Sequence, residues 1–351
     1  MSSTPTRVRN GFSIVTLLGV SALVLASCGV AKVSAQRLNG RPALSISVPL
    51  SNVGCTLSDA CVAIGTSSAS AGPTSVGEFT TPNGRWLNLA LPATTSPLVT
   101  STACFATQCL IGGSVAGRDL LWRFDATSHS VAIVNPPPGG NGVSALTCNA
   151  LNCALIDTST RSTAPRFGFS ADGGTTWSDP IPMSWASGDV ITSLSCGAVF
   201  DCVVSAVTTQ HQLHVFITHD DGESWTERST PGSWTTLSSL SCKDLRCVGL
   251  ATVNGTSAIV HTNTFARTWT STSLRQHANA LACVSLSSCV AVGQNAKSSP
   301  WLVTVSSGTI YPTRLRYVPT PLLGVACGSK VCAAIGFTTV LTLPLTLKSS
   351  A

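Results

Sequence analysis

Charge is what this sequence has least of. Only 10% of its 351 residues are charged, against roughly 25% in an average globular domain. Glutamate is confined to Glu78, Glu223 and Glu227, tyrosine to Tyr311 and Tyr317, and the chain has 2 methionines. The formal net charge of +6 is scattered rather than blocked, which excludes a nucleic-acid footprint of clustered Lys and Arg. No segment beyond the N-terminus carries the long 3.6-residue periodicity of an amphipathic helix. What remains is a chain 44% hydrophobic, rich in Ser, Thr, Ala, Val and Gly. Such a composition suits short strands joined by uncharged turns.

The one long apolar run lies near the start. Arg7 and Arg9 precede "FSIVTLLGVSALVLA" (12–26), too short for a comfortable membrane span and shaped like an export signal. It leads into Leu25-Ala26-Ser27-Cys28, which resembles the bacterial lipobox, whose cysteine is diacylated and becomes the new N-terminus. An ordinary signal peptide with a spare cysteine is the alternative. The expected organisation is a lipoprotein signal over 1–27, a tether over 28–38 and a folded domain over 39–351. Two or more acyl chains on Cys28 would hold the protein at a bacterial cell membrane, facing out of the cytoplasm.

Cysteine supplies the organising pattern. Of 15 cysteines, Cys28 stands alone and the rest fall into seven pairs: Cys55 with Cys61, Cys104 with Cys109, Cys148 with Cys153, Cys196 with Cys202, Cys242 with Cys247, Cys283 with Cys289, and Cys327 with Cys332. The first members recur every 41–49 residues, the length of a four-stranded propeller blade. In each unit small apolar residues lead into the first cysteine, a turn follows, and the second cysteine opens another strand. The reading is an all-β, seven-bladed propeller with four-stranded blades and an N-terminal strand, "NGRPALSIS" (39–47), closing the last blade. Each pair then flanks the turn between the two inner strands, where a disulfide fits. Zinc would need ligands from two blades and interleaved histidines, which are missing. A catalytic dithiol would not need seven copies. An exported protein favours one structural disulfide per blade, with no metal and no cofactor.

A second motif is sharper. "SADGGTTW" sets Ser170, Asp172, Gly174 and Trp177 in the pattern S-x-D-x-G-x-x-W, and "THDDGESW" repeats it with Thr218, Asp220, Gly222 and Trp225. "TNTFARTW" keeps Thr262 and Trp269 but has Thr264 and Ala266 where Asp and Gly belong. These stretches resemble the Asp-box, or BNR, repeat of sialidase-type propellers. That group includes sialidases, sortilin-like receptors and the exported photosystem II stability factors. The resemblance implies a structural hairpin on the rim, away from the usual active face.

The resemblance also implies what a sialidase would need: an arginine cluster, a Tyr–Glu nucleophile pair and an acidic catalyst. Tyr311, Tyr317 and the three glutamates are poor material for it. "GRPAL" (40–44) is a poor substitute for the sialidase F/Y-R-I-P motif. Asp59, Asp201 and Asp244 read as turn residues between cysteines. Asp157 and Asp189 are the carboxylates expected on the face opposite the disulfides. His211, His214 and His277 flank connections on that face and read as surface histidines. Trp185 and Trp234 read as residues buried between blades, with solvent-facing anchors the alternative. The expected function is a non-enzymatic, monomeric binding or assembly module for a protein or glycan of the cell envelope. A sialidase-like glycoside hydrolase is the alternative.

Overall fold

The computed structural model describes residues 31–32, 49–69, 72–80, 86–92, 97–159, 164–198, 201–306, 308–315, 318, 320–337, 339–344 and 346–347. Cys28, its lipobox and the expected closing strand at 39–47 lie outside the described residues. Six antiparallel sheets of four strands follow one another along the chain, each in simple sequential order. The first blade is Leu50–Cys55, Cys61–Ala69, Gly72–Thr80 and Trp86–Leu89. The second is Pro97–Phe105, Gln108–Val115, Arg118–Asp125 and Ser130–Ile133. The third is Gly140–Asn149, Asn152–Ser159, Arg166–Ser170 and Ile181–Pro182. The fourth is Val190–Ala198, Asp201–Val207, Leu213–Thr218 and Thr226–Arg228. The fifth and sixth begin with Trp234–Lys243 and His277–Ser285.

The blade count departs from the sequence expectation. There are six blades of four strands, not seven. The last cysteine unit forms a sheet of three strands, Leu322–Cys327, Val331–Gly336 and Val340–Pro344. Among the described residues no fourth strand pairs with that sheet. Thr346–Leu347 instead pairs with Ala31–Lys32 in a separate two-stranded sheet. The described N-terminal pairing therefore lies upstream of 39–47 and outside the closing sheet.

Apolar seams join neighbouring sheets face to face. Val62 and Ile64 of the first blade pack with Val99, Ile111 and Trp122 of the second. Ile156 and Phe167 of the third pack with Leu194 and Val204 of the fourth. Burying each such aliphatic side chain is worth about 1.5–3 kcal/mol, so the seams carry most of the favourable energy. The inner strands approach so closely that a Cβ at Gly54 would meet Thr102 and Cys104 of the next blade, which is why small residues recur there.

A polar belt accompanies the seams. Inner strands have a β-bulge at the residue four positions before the first cysteine: Ser51, Thr100, Ser144, Thr192, Asn279 and Leu323. A bulge re-aims a side chain, and several of these reach a backbone carbonyl of the next inner strand. Thr192 donates to the Leu237 carbonyl at 2.7 Å, Asn279 to that of Leu322 at 2.7 Å, and Thr100 to that of Val143.

The ring closes between the first blade and the three-stranded sheet. Leu50, Ala63 and Trp86 pack on Ala333, Ile335 and Val340, and Leu50 N–H donates to the Phe337 carbonyl at 3.2 Å. Asp59, expected only to make a turn, spans the junction. Its carboxylate accepts from Ser329 Oγ at 2.8 Å and from the backbone N–H groups of Lys330 and Val331 at 2.7 and 3.1 Å. Gly328 is required beside it, because a Cβ there would come within 2.6 Å of Asp59 Oδ1 and the Thr56 carbonyl.

Candidate functional site

The two faces of the ring are chemically different. One gathers the turns within the inner hairpins, and there all seven cysteine pairs form disulfides. In every pair the two residues stand directly opposite one another in the ladder, with Cα atoms 3.9–4.1 Å apart. Each closes a loop of a few residues, worth roughly 2 kcal/mol by chain entropy. The other face, here the open face, gathers the connections between blades and the turns after the second strand.

The two S/T-x-D-x-G-x-x-W stretches and the third, degenerate one make hairpin turns on the disulfide side. Asp172 accepts from the N–H groups of Thr175 and Thr176, both at 2.9 Å, and Ser170 Oγ accepts from Gly174 N–H at 2.8 Å. The second stretch repeats this, with Asp220 on Ser224 and Thr218 on Gly222. Donors hold the carboxylate of Asp172 down to about 2, Thr176 N–H first, and lower that of Asp220, Ser224 Oγ first. Gly174 and Gly222 have φ of 81° and 87°, the left-handed region that glycine enters without penalty. In the third stretch the Thr264 hydroxyl takes the carboxylate's place on Thr268 N–H at 2.9 Å. Ala266 holds φ at 62°. The turn survives both substitutions. Trp177 and Trp225 are half-buried, and the Trp225 ring meets Phe167 edge-on with centroids 5.4 Å apart.

On the open face, between the second and third blades, the structure assembles charged groups that sequence reasoning did not bring together. Asp157 lies near the end of the second strand of the third blade and faces Arg166 across the ladder. The guanidinium grips it with two bonds, Nε to Oδ1 at 2.9 Å and Nη2 to Oδ2 at 2.7 Å, and Nη1 donates to the Pro138 carbonyl at 3.0 Å. Asp157 is fully buried. Asp119 of the second blade packs its carboxyl over the Cα of Gly140, filling the space a Cβ would need. Both Asp119 oxygens are buried with no donor in bonding geometry.

Asp119's carboxyl neighbour is the Asp157 carboxylate, itself an acceptor, so the contact becomes a hydrogen bond only if one group keeps its proton. Burial first, then the charge of Asp157, pushes Asp119 up to about 7; the Gly142 amide and Arg166 oppose this. Burial also raises Asp157, against the pull of Arg166. Because the guanidinium fork fixes the negative charge on Asp157, the shared proton rests on Asp119. A cavity of about 460 Å³ opens beside them, walled by Arg118, Asp119 and the Pro136–Gly140 connection.

The remaining candidates scatter. Asp189 donates its N–H to the Ala186 carbonyl at 3.1 Å and does not join the pair. His214 contacts Glu227 at 3.1 Å on the outer strands of the fourth blade. Trp234 is buried, whereas half-buried Trp185 stacks on Phe216 at 3.6 Å. Tyr311 lies on the outer strand of the sixth blade and Glu223 in a rim hairpin, so no Tyr–Glu couple forms from them; Tyr317 falls outside the described residues. Among the described residues no three His, Cys, Asp or Glu side chains gather as a metal site.

No protein-family model and no curated protein matches the sequence. Solved structures do match in shape. YCF48 bound to D1 peptide superposes with a TM-score of 0.59 at 14% identity, over 86% of this chain and 95% of that one. The fold is a β-propeller. Virginiamycin B lyase from Staphylococcus aureus gives a TM-score of 0.59 at 10% identity, over 87% and 98% of the two chains. A Hadza microbial sialidase gives 0.50 at 12%, over 79% and 74%. These propellers include binding proteins and enzymes, so the fold alone does not choose between the two roles.

The local chemistry of this propeller speaks to the enzyme alternative. Glycoside hydrolysis sets two carboxyl groups about 5–10 Å apart across the scissile bond. Here one carboxyl is fully buried under an arginine fork and the other rests against it. Asp157 has no exposed surface to offer a substrate.

Proposed function

We propose that this propeller is a membrane-tethered, extracytoplasmic binding or assembly module that takes a protein or glycan of the cell envelope on its open face. In this reading residues 1–27 are removed, Cys28 carries the lipid, and the hairpins at 170–177 and 218–225 are Asp-box repeats. The observation that carries it is the division of the faces. The disulfide side is tied into short turns and holds a cavity of about 220 Å³, while cavities of about 460 and 390 Å³ open on the other side, the first beside the arginine-held Asp157. YCF48, similar in fold, is seen with a bound D1 peptide, which supports peptide capture as work this architecture can do.

The test uses full-length Cys28→Ala protein, expected to leave the membrane fraction without unfolding. It should capture an envelope component that binds again when purified. The rival reading, a glycoside hydrolase, is favoured only by the meeting of Asp119 with Asp157. Turnover of aryl sialosides or of β-glucan and xyloglucan oligosaccharides that disappears in Asp119→Asn would establish it and sink the binding-module reading.

A further inference from the structure

The open face carries a second cavity, of about 390 Å³, between the fifth and sixth blades. Three segments build it: the Gly255–Ser257 turn, the Leu274–His277 connection and the Gln294–Ser298 turn. Its wall combines amides and hydroxyls with the Arg275 guanidinium, the His277 imidazole and the apolar Leu274 and Ala296, and no carboxylate lines it. Arg275 is exposed and enters no ion pair among the described residues.

Local hydrogen bonding orients the rest. Buried Ser257 Oγ accepts from Ala278 N–H at 3.0 Å and pairs with His277 Nδ1 at 3.3 Å. In the tautomer where the hydroxyl donates, Nε2 of the exposed imidazole carries the ring hydrogen and is a donor. Gln276 supplies the opposite function, since its amide oxygen is buried without a donor. An acceptor left so costs about 1–3 kcal/mol until an O–H or N–H reaches it. The cavity thus offers a cation and an imidazole N–H for an anion, beside an acceptor for a hydroxyl.

We propose that this cavity binds an acidic saccharide, with the carboxylate on Arg275 and His277 and a sugar hydroxyl on Gln276. The inference rests on the open-face binding reading and names one class of ligand within it. An acidic peptide fits less well, because peptides anchor through apolar side chains. The exposed apolar residues of this face, Leu98, Val190, Leu323 and Phe337, belong to the second and fourth blades and the closing sheet. None lines this cavity.

The experiment is calorimetric titration of trigalacturonate into full-length Cys28→Ala protein. Binding is expected, weakened at least 10-fold by Arg275→Ala and severalfold by Gln276→Ala, with thermal unfolding unchanged in the first and not lowered in the second. Trigalacturonate methyl ester keeps the hydroxyls but loses the charge, and should bind at least 10-fold more weakly. Absence of trigalacturonate binding, indifference to Arg275→Ala, or equal displacement by sulfate at matched ionic strength would each overturn the proposal. Envelope capture that persists while trigalacturonate fails overturns this inference and leaves the wider binding reading intact.

Discussion

Replacing Asp119 by Asn should flatten the pH dependence of stability on the mildly acidic side of neutrality. In the unfolded chain Asp119 releases its proton near pH 4; in the folded chain it holds it to about 7. Below pH 4 both states are protonated and the group costs nothing. Between about 4 and 7 only the folded state keeps the proton, so wild-type stability falls as pH rises, and above 7 the loss is complete. A rise from 3.8 to about 7 corresponds to about 4 kcal/mol at full strength. Asp119 is only half-buried, so solvent screening reduces the observable effect to about 1–2 kcal/mol. An asparagine amide can donate to Asp157 at every pH, which removes Asp119's part of the slope and leaves only what the raised Asp157 contributes. Urea unfolding with disulfides intact, at half-unit steps from pH 4 to 8, measures the difference. Asp172, held down to about 2, contributes its stability above pH 4 and loses it only as pH falls towards 2, outside this window. If wild type and Asp119→Asn run parallel across pH 4–7, the shared-proton account is wrong.

Three further outcomes are expected. Asp59→Ala removes three bonds across the ring junction and should lower stability by about 2–4 kcal/mol; Asp59→Asn should recover part of this in denaturant melts. Trp177→Ala and Trp225→Ala should each cost about 2–3 kcal/mol, less than a fully buried tryptophan would, because both are half-buried; thermal denaturation checks it, and losses below about 1 kcal/mol would mark them as surface residues. Asn279→Ala deletes its bond to the Leu322 carbonyl and should cost about 1–2 kcal/mol, with faster amide exchange along Leu322–Cys327 by mass spectrometry.

What could be read from the sequence was whatever repeats. The cysteine spacing announced the inner hairpins, and the Ser-x-Asp-x-Gly turns announced their own hydrogen bonds, because both are local. The belt was legible in hindsight: Thr100, Thr192 and Asn279 each stand four residues before a cysteine. Strand alternation does not reveal it, because a bulge aims those side chains. Asp119 and Asp157 lie on different repeats, and nothing in either neighbourhood says that one carboxyl will pack against the other. Asp59 reads as a turn residue since its partners, Ser329 to Val331, lie at the far end of the chain. The blade count failed for a related reason. Repeat arithmetic counts units, whereas strand pairing at the junction decides how many strands each unit keeps.

The short spacing within each cysteine pair has a consequence for oxidation. A cysteine here finds its own partner five or six residues away, while the nearest cysteines of other pairs lie several-fold farther along the chain. Loop-closure entropy grows as (3/2)RT ln n, so a wrong pairing across a full repeat starts about 20-fold behind the right one. Each hairpin can therefore be oxidised as it emerges, before the ring exists, and scrambled isomers need little repair. Fidelity of covalent pairing is written into local distance, and what remains for the completed chain is to bring its two ends together.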